Sequence, residues 1–248
     1  MNGFSEDIET PRPKTFIEAF RRLPCVKISI IIPCFCHEAV LDACLHGIAA
    51  QNYPQEALEI IIVDDSSGKN LHNVASHFFL ERIFSGGIIF IRHLKNSGRA
   101  AARNSGLREA RGKIILFLDV DNILLPAALS SFTEFLGNPQ IHAARGNIRV
   151  MPPLLCKSAY LRFFDSRYIG SRIERSCFQF NPDSLPPKFF ATGEMAIKKD
   201  ALDAVGMFDE NFREYGCEDE DFGIRFWKKG FVLGFAKEAR LNDSDMHA

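Results

Sequence analysis

The chain has 248 residues, 46% of them hydrophobic and 25% charged, with a formal net charge of −1. That length suits one α/β domain with a core of its own, and the balanced charge lacks the basic surplus that nucleic-acid binding shows. No run is long and apolar enough for a transmembrane helix, and the acidic, polar start from Met1 to Thr10 is not a signal peptide.

Taken in chain order, Thr15 to Leu23 carries Phe16, Ile17 and Phe20 beside Arg21 and Arg22. This spacing predicts a short amphipathic helix, either resting on a membrane as a peripheral contact or packed on the domain; so short a segment favours packing. Val26 to Pro33 is a β-branched run that predicts a buried strand, and Ala39 to Gln51 then has helical spacing through Leu41, Cys44, Leu45 and Ile48. Leu58 to Val63 predicts a second strand, ending in Asp64-Asp65-Ser66-Ser67, and Leu71 to Arg82 a second helix. Gly87 to Arg92 predicts a third strand, Arg99 to Arg111 an alanine-rich helix, and Lys113 to Leu118 a fourth strand ending in Asp119-Val120-Asp121, with Asn122 to Pro126 opening the following helix.

The second half is less regular. Ile141 to Val150 predicts a strand, and Ser158 to Glu174, mixed aromatic and basic, a helix. Asn181 to Lys188 holds three prolines and reads as an exposed loop or lid. Phe189 to Ile197 predicts a strand, Lys199 to Val205 a short helix ended by Gly206, Glu218 to Lys229 a helix ended by Gly230, and Phe231 to Ala236 a last strand. Strands apolar on both faces and alternating with helices argue for a mostly parallel sheet with helices on each side. In such sheets ligands bind beyond the carboxyl ends of the strands. Pro33 to Glu38, Asp64 to Ser67 and Asp119 to Asp121 all fall there, on one rim.

Three acidic groups carry chemistry. Asp119 and Asp121 are two carboxylates at a turn after a buried strand: either an ordinary acidic surface turn or a donor set for a divalent cation that neutralises a departing nucleoside diphosphate. Asp64-Asp65 has two readings: Asp65 or Ser66 caps the next helix, or a carboxylate accepts the N3–H of a uracil-type base. Glu218-Asp219-Glu220-Asp221 is either an acidic first helical turn or the source of a general base that takes a proton from an acceptor hydroxyl.

The seven cysteines are odd in number and form no C-x-x-C pair, so they read as reduced thiols of a cytosolic protein. A zinc site at Cys34, Cys36 and His37 lacks its second ligand pair.

In order, Ile28-Ser29-Ile30-Ile31-Ile32-Pro33, Gln51-Asn52-Tyr53-Pro54, Ile61-Ile62-Val63-Asp64-Asp65-Ser66-Ser67, Asn96-Ser97-Gly98, Ala102-Arg103-Asn104-Ser105-Gly106-Leu107, Leu116-Phe117-Leu118-Asp119-Val120-Asp121, Thr192-Gly193-Glu194-Met195-Ala196, Val205-Gly206-Met207-Phe208-Asp209-Glu210 and Glu218-Asp219 with Phe222 and Arg225 resemble the motifs of family 2 glycosyltransferases. The match runs from about residue 27 to 236. It implies a single GT-A domain with a Rossmann-like, mostly parallel sheet over residues 25–240, a polar or amphipathic segment at 1–24 and a tail at 241–248. It implies a nucleotide-sugar donor, UDP-linked, and transfer with inversion to a saccharide or lipid-linked glycan acceptor, with Mn²⁺ or Mg²⁺ as cofactor. By the same resemblance Pro33, Phe35 and Glu38 line the nucleoside pocket, and Asp65 reads the base. Asp119 touches the ribose or phosphate region, Asp121 binds the metal, and Gly193 and Glu194 face the donor sugar. Asp219 is the base, supported by Glu218, and the Arg103-Asn104 pair holds its helix against the donor loop.

Two departures bear on these expectations. Cys34 and Cys36 stand where relatives carry a small polar residue and an Asn, and the metal-binding His of many relatives has no equivalent, which leaves Asp243 or His247 as the third ligand. They motivate an alternative, a non-catalytic nucleotide-sugar-binding partner of a glycan synthase complex. The expected location is the cytoplasm, with peripheral contact on the cytoplasmic membrane face. A nucleotidyltransferase is disfavoured because Pro33 to Glu38 has no glycine, and a hydride-transfer enzyme because no G-x-G-x-x-G follows the first strand.

Overall fold

The computed structural model describes residues 15–21, 23–36, 38–150, 180–213 and 216–243, with backbone alone at 149–150 and 242–243. Among them β1 (Thr15–Arg21), β2 (Ile28–Cys34), β3 (Leu58–Asp64), β4 (Gly87–His93), β5 (Ile114–Leu118), β6 (Asn122–Leu124), β7 (Ala143–Val150), β8 (Glu194–Lys198) and β9 (Leu233–Asp243) form one sheet in the order β1-β4-β3-β2-β5-β8-β7-β9-β6. The helices are α1 (Glu38–Ala49), α2 (Leu71–Leu80), α3 (Arg99–Glu109), α4 (Ala128–Leu136), α5 (Lys199–Val205) and α6 (Glu218–Lys228).

The four central strands, β4-β3-β2-β5, are parallel. The chain builds outward from β2 through β3 to β4, then returns to lay β5 on the other side of β2. The carboxyl ends of β2 and β5 therefore part at a topological switch point, where a crevice opens. Antiparallel β8 extends the sheet beyond β5, and antiparallel β1 closes the opposite edge against β4.

The continuous isoleucine runs follow from burial on both faces. Ile30, Ile32, Ile60 and Ile62 join Leu41, Leu45, Phe78 and Phe132 from α1, α2 and α4 in one core. Ile31, Ile61, Val63 and Ile91 join Ala102, Leu202, Phe222 and Phe226 from α3, α5 and α6 in the other. The alanines of α3 let it lie close on the sheet, and a Cβ at Gly106 would come within 2.5 Å of Ile31 Cγ2. Gln51 ties α1 to the segment after the Asp-Val-Asp turn: its Nε2 donates to Gly47, Leu124 and Leu125 carbonyls, and its Oε1 accepts from Leu129 N–H.

Five expectations are corrected. Thr15–Arg21 is a strand, not a helix; its backbone groups pair with β4, which outweighs the local helical spacing. Asn122–Leu124 does not open a helix but pairs antiparallel with β9 before α4 begins. The proline-rich stretch is exposed at residues 181–184 and at Lys188, as expected of a loop, but it is not a free lid, because Leu185 is buried and bridges to Leu233. The strand expected from Phe189 starts at Glu194, since Pro187–Phe189 forms a single 3-10 turn. The last strand also runs on to Asp243, well past Ala236. The helix expected at Ser158 to Glu174 lies outside the described residues.

Candidate functional site

A cleft opens at the switch point, lined by Pro33, Cys34 and Phe35 after β2, Asp65 after β3, Arg99, Ala102 and Arg103 on α3, and Asp119, Val120 and Asp121 after β5. The rim expected from three separate strand ends is therefore one cavity. Phe35 is exposed at its mouth.

Arg103 is the electrostatic centre. It is 1% exposed and sits on the face of α3 turned to the cleft. Its Nη1 lies 2.9 Å from Glu218 Oε1 and 3.3 Å from Asp219 Oδ1, and its Nη2 lies 3.5 Å from Asp119 Oδ1. One guanidinium thus ties the turn after β5 to the first turn of α6. Burial opposes its charge, but Asp119, Asp219 and Glu218 outweigh that and hold its pKa above the ordinary value. Desolvation raises the Asp119 carboxyl above its usual range, with Asp121 adding to the shift while Arg103 and Arg99 oppose it.

Asp219 is also held by Thr192, whose Oγ1 donates to Asp219 Oδ1 at 2.6 Å and whose N–H donates to Oδ2 at 3.2 Å. Its side chain remains 26% exposed, so it can meet a ligand, whereas the Glu218 side chain is 4% exposed. Arg103 Nε and Glu218 Oε2 are buried with no hydrogen-bond partner. The backbone reaches the N-terminus of α6 through Gly216 (φ 97°) and Cys217 (φ 72°). A left-handed non-glycine residue there is local strain of the kind that collects at functional sites.

Asp65 does not cap the following helix. Its Oδ1 accepts from Ser97 N–H (2.9 Å) and from His93 Nδ1 (2.6 Å), and its Oδ2 accepts from Gly98 N–H (2.8 Å). Gly98, at φ 89°, supplies the backbone turn that presents this N–H at the start of α3. Asp64 takes the local role instead, with Oδ1 accepting from Ser67 N–H and Oδ2 facing Arg92 Nε at 2.8 Å.

The other expected site residues distribute unevenly. Gly193 abuts Asp119: a Cβ there would come within 2.7 Å of Asp119 Oδ2, and the Gly193 carbonyl accepts from Asp119 N–H and Asn122 Nδ2. Glu194 sits beside the cleft in a buried pair with Arg145, at 2.8 Å from Nη2. Burial pushes its carboxyl up to about 7, against the pull of Arg145. Glu38, at the start of α1, accepts from Asn70 N–H. Asp243 lies across from Asn122 in the β6–β9 register, next to Asp121 in sequence; His247 lies outside the described residues.

The five cysteines described are free thiols. Burial raises the Cys34 thiol well above its ordinary value, while the hydrogen bond from Cys34 lowers Cys36. Among the described residues no group of three His, Cys, Asp or Glu side chains is placed to hold a metal. Cys34 and Cys36 therefore form no zinc site with a third described ligand, and His37 lies outside them. Asp119 and Asp121 remain a fitting pair for a hard cation whose other ligands are phosphate oxygens and water.

Sequence reasoning gave Arg103 only a scaffolding role and assigned none to Arg99 or His93. The signal for Arg103 was present: an arginine that follows three alanines on a helix buried against a sheet has to find carboxylates. Asn104 does hold its helix, with its side-chain amide donating to the Phe208 carbonyl and Glu210 and accepting from Phe208 N–H.

Comparison with known proteins follows the same outline. The model of glycosyl transferase family 2 matches residues 29–177, and that of glycosyl transferase family group 2 matches residues 114–245. The probable glycosyltransferase YdaM of Bacillus subtilis is 26% identical over 226 residues, covering 88% of this chain and 50% of that protein. The mannosyltransferase PcManGT of Pyrobaculum calidifontis, solved in complex with GDP-Man and Mn²⁺, superposes with a TM-score of 0.65 at 18% identity, over 89% of this chain and 57% of that one. S. aureus TarS 1–349 in complex with UDP-GlcNAc gives a TM-score of 0.64 at 16% identity, over 88% of this chain and 58% of that one. The fold is that of these glycosyltransferases, and the chain spans between half and three-fifths of the length of each of the three.

Proposed function

The chain belongs to glycosyl transferase family 2, and on that premise we propose that it transfers a sugar with inversion from a UDP-sugar to a hydroxyl of a saccharide or lipid-linked glycan precursor. One observation carries this reading: Arg103, which lines the cleft together with Asp119, also pairs with Glu218 and Asp219 in the first turn of α6. The carboxylates suited to the donor side and those suited to the acceptor side are thus joined through one guanidinium at the cleft.

The charge of the crevice supports a cation. Asp65, Asp119 and Asp121 outnumber Arg99 and Arg103 among its lining residues. A diphosphate entering so acidic a site is repelled unless a divalent ion offsets the carboxylates. Asp119 and Asp121 would hold Mn²⁺ or Mg²⁺, which neutralises charge on the departing diphosphate. PcManGT, solved with Mn²⁺, supports this cofactor.

Pro33 and Phe35 flank the nucleoside, Asp65 accepts the base N–H, and Arg99 faces the phosphates. Gly193 leaves room beside Asp119 for the donor sugar, and Glu194 backs that wall through Arg145. Asp219 takes the acceptor hydroxyl proton as the acceptor oxygen bonds to the anomeric carbon and the bond from that carbon to the diphosphate oxygen breaks. Its hydrogen bonds from Thr192 and Arg103 fix its direction, and Glu218 balances the guanidinium behind it. Exposed Phe16 on the edge strand β1 supports peripheral contact with the cytoplasmic face of a membrane; among the described residues no helix is long and apolar enough to cross one.

Loss of general-base catalysis typically lowers turnover by about 10²–10⁴-fold. Asp219→Asn is expected to lose that much kcat while UDP affinity, read by calorimetry, stays unchanged. Asp121→Ala is expected to lose Mn²⁺-dependent UDP binding itself. Full turnover by Asp219→Asn would remove the base assignment. Binding without turnover by the wild-type protein, over a broad acceptor panel, would favour the non-catalytic synthase partner.

A further inference from the structure

His93, at the end of β4, belongs to no part of the transfer chemistry described above, yet it is 1% exposed and bonded at both ring nitrogens. Nδ1 lies 2.6 Å from Asp65 Oδ1, and Nε2 lies 2.8 Å from Ser105 Oγ on α3. Beyond Ser105, Arg108 Nη1 reaches the same hydroxyl at 3.4 Å, and Arg108 is anchored by Glu210 at 3.0 Å. We propose that His93 is a positioning residue that fixes the carboxylate of Asp65 so that the donor cleft selects nucleotides whose base presents a ring N–H.

The donor and acceptor inventory runs in one direction. Asp65 Oδ1 is a carboxylate oxygen and can only accept, so His93 carries a proton on Nδ1 and donates it there. Ser105 Oγ, which accepts from Arg108, holds the other ring nitrogen, Nε2. That oxygen also takes the Ser97 N–H, while Oδ2 takes only the Gly98 N–H. An ionised carboxylate has about four acceptor directions. Three are filled from behind by fixed donors, and Asp65 lines the cleft. The direction left belongs to Oδ2, where an incoming base can donate. Uracil and guanine present a ring N–H; cytosine and adenine present a lone pair at the corresponding ring nitrogen, which a carboxylate repels. Without His93, Oδ1 loses one of its two donors and the carboxylate can rotate toward the cleft with either oxygen.

This inference rests on Asp65 as the base reader, so the experiment separates the two. Calorimetry with Mn²⁺ and the diphosphates of uridine, guanosine, cytidine and adenosine gives the preference of the wild-type protein and of Asp65→Asn, His93→Leu, His93→Asn and Ser105→Ala. A charge-assisted hydrogen bond is worth enough that its loss is expected to cut the preference for ring-N–H bases by about tenfold in His93→Leu. The donor KM should rise with kcat unchanged. His93→Asn, which keeps an amide donor near the Nδ1 position, should retain most of the preference. Ser105→Ala keeps His93 and a sound helix while freeing the ring, and should fall between the two. A merely structural role would weaken all four nucleotides alike and leave the ratio unchanged, which overturns the proposal. If Asp65→Asn abolishes the preference while His93→Leu and Ser105→Ala keep it, Asp65 reads the base and His93 does not position it. If the wild-type protein has no preference and Asp65→Asn changes nothing, the base-reading role falls and the positioning role falls with it.

Discussion

At the scale of single residues, Arg103 decides whether the cleft holds together. A buried guanidinium between carboxylates is tolerated only because each charge faces another, and removing one partner leaves the rest uncompensated. Arg103→Met should therefore destabilise the protein by about 3–5 kcal/mol, a fall in melting temperature of roughly 6–20 °C for a chain of this size. A loss under about 1 kcal/mol would show that the carboxylates find other partners, as exposed pairs do. Residue identity revealed much of this site: Asp65, Asp119 and Asp121 were recognisable as strand-end acids, and they line one cavity. Arg103 and His93 were harder, because their partners lie 116 and 28 positions away. No local pattern states which distant carboxylate a buried cation will meet.

At the scale of elements, buried strands and long helices were plain from periodicity, whereas edge elements were not. β1 reads as an amphipathic helix by spacing and becomes a strand because β4 offers it a ladder. β9 outruns its apolar start because buried Ala239 and Leu241 alternate with the more exposed Glu238 and Arg240, a period-two pattern in a stretch that looks like a polar tail. The β7–β8 pair also carries a titration. Glu194 on β8 faces Arg145 on β7, and burial raises its carboxyl from the ordinary 4.5 to about 7. The folded state then keeps a proton that the unfolded chain has lost. Stability from this group is full below the unfolded value, declines as pH rises toward about 7, and levels above it. Urea unfolding of wild type and Glu194→Gln at pH 5, 6, 7 and 8 tests the sign. The wild-type protein should lose stability relative to the variant between pH 5 and 7 and run parallel to it above. Parallel profiles throughout would mean that Arg145 keeps the carboxylate charged.

At the scale of the whole molecule, the parallel core fixes where ligands bind, and the switch point between β2 and β5 fixes the cleft. Everything proposed for function follows from that crevice accepting a nucleoside diphosphate together with a divalent ion. Thermal denaturation with UDP, with Mn²⁺, and with both tests this most directly. Ligand at about a hundred times its dissociation constant stabilises the folded state by about 2.7 kcal/mol, or roughly 5–11 °C here. UDP and Mn²⁺ together should give that shift, UDP alone little of it, and Asp121→Ala none. An unchanged melting temperature with every nucleoside diphosphate, with or without metal, would contradict a nucleotide-sugar site in this cleft.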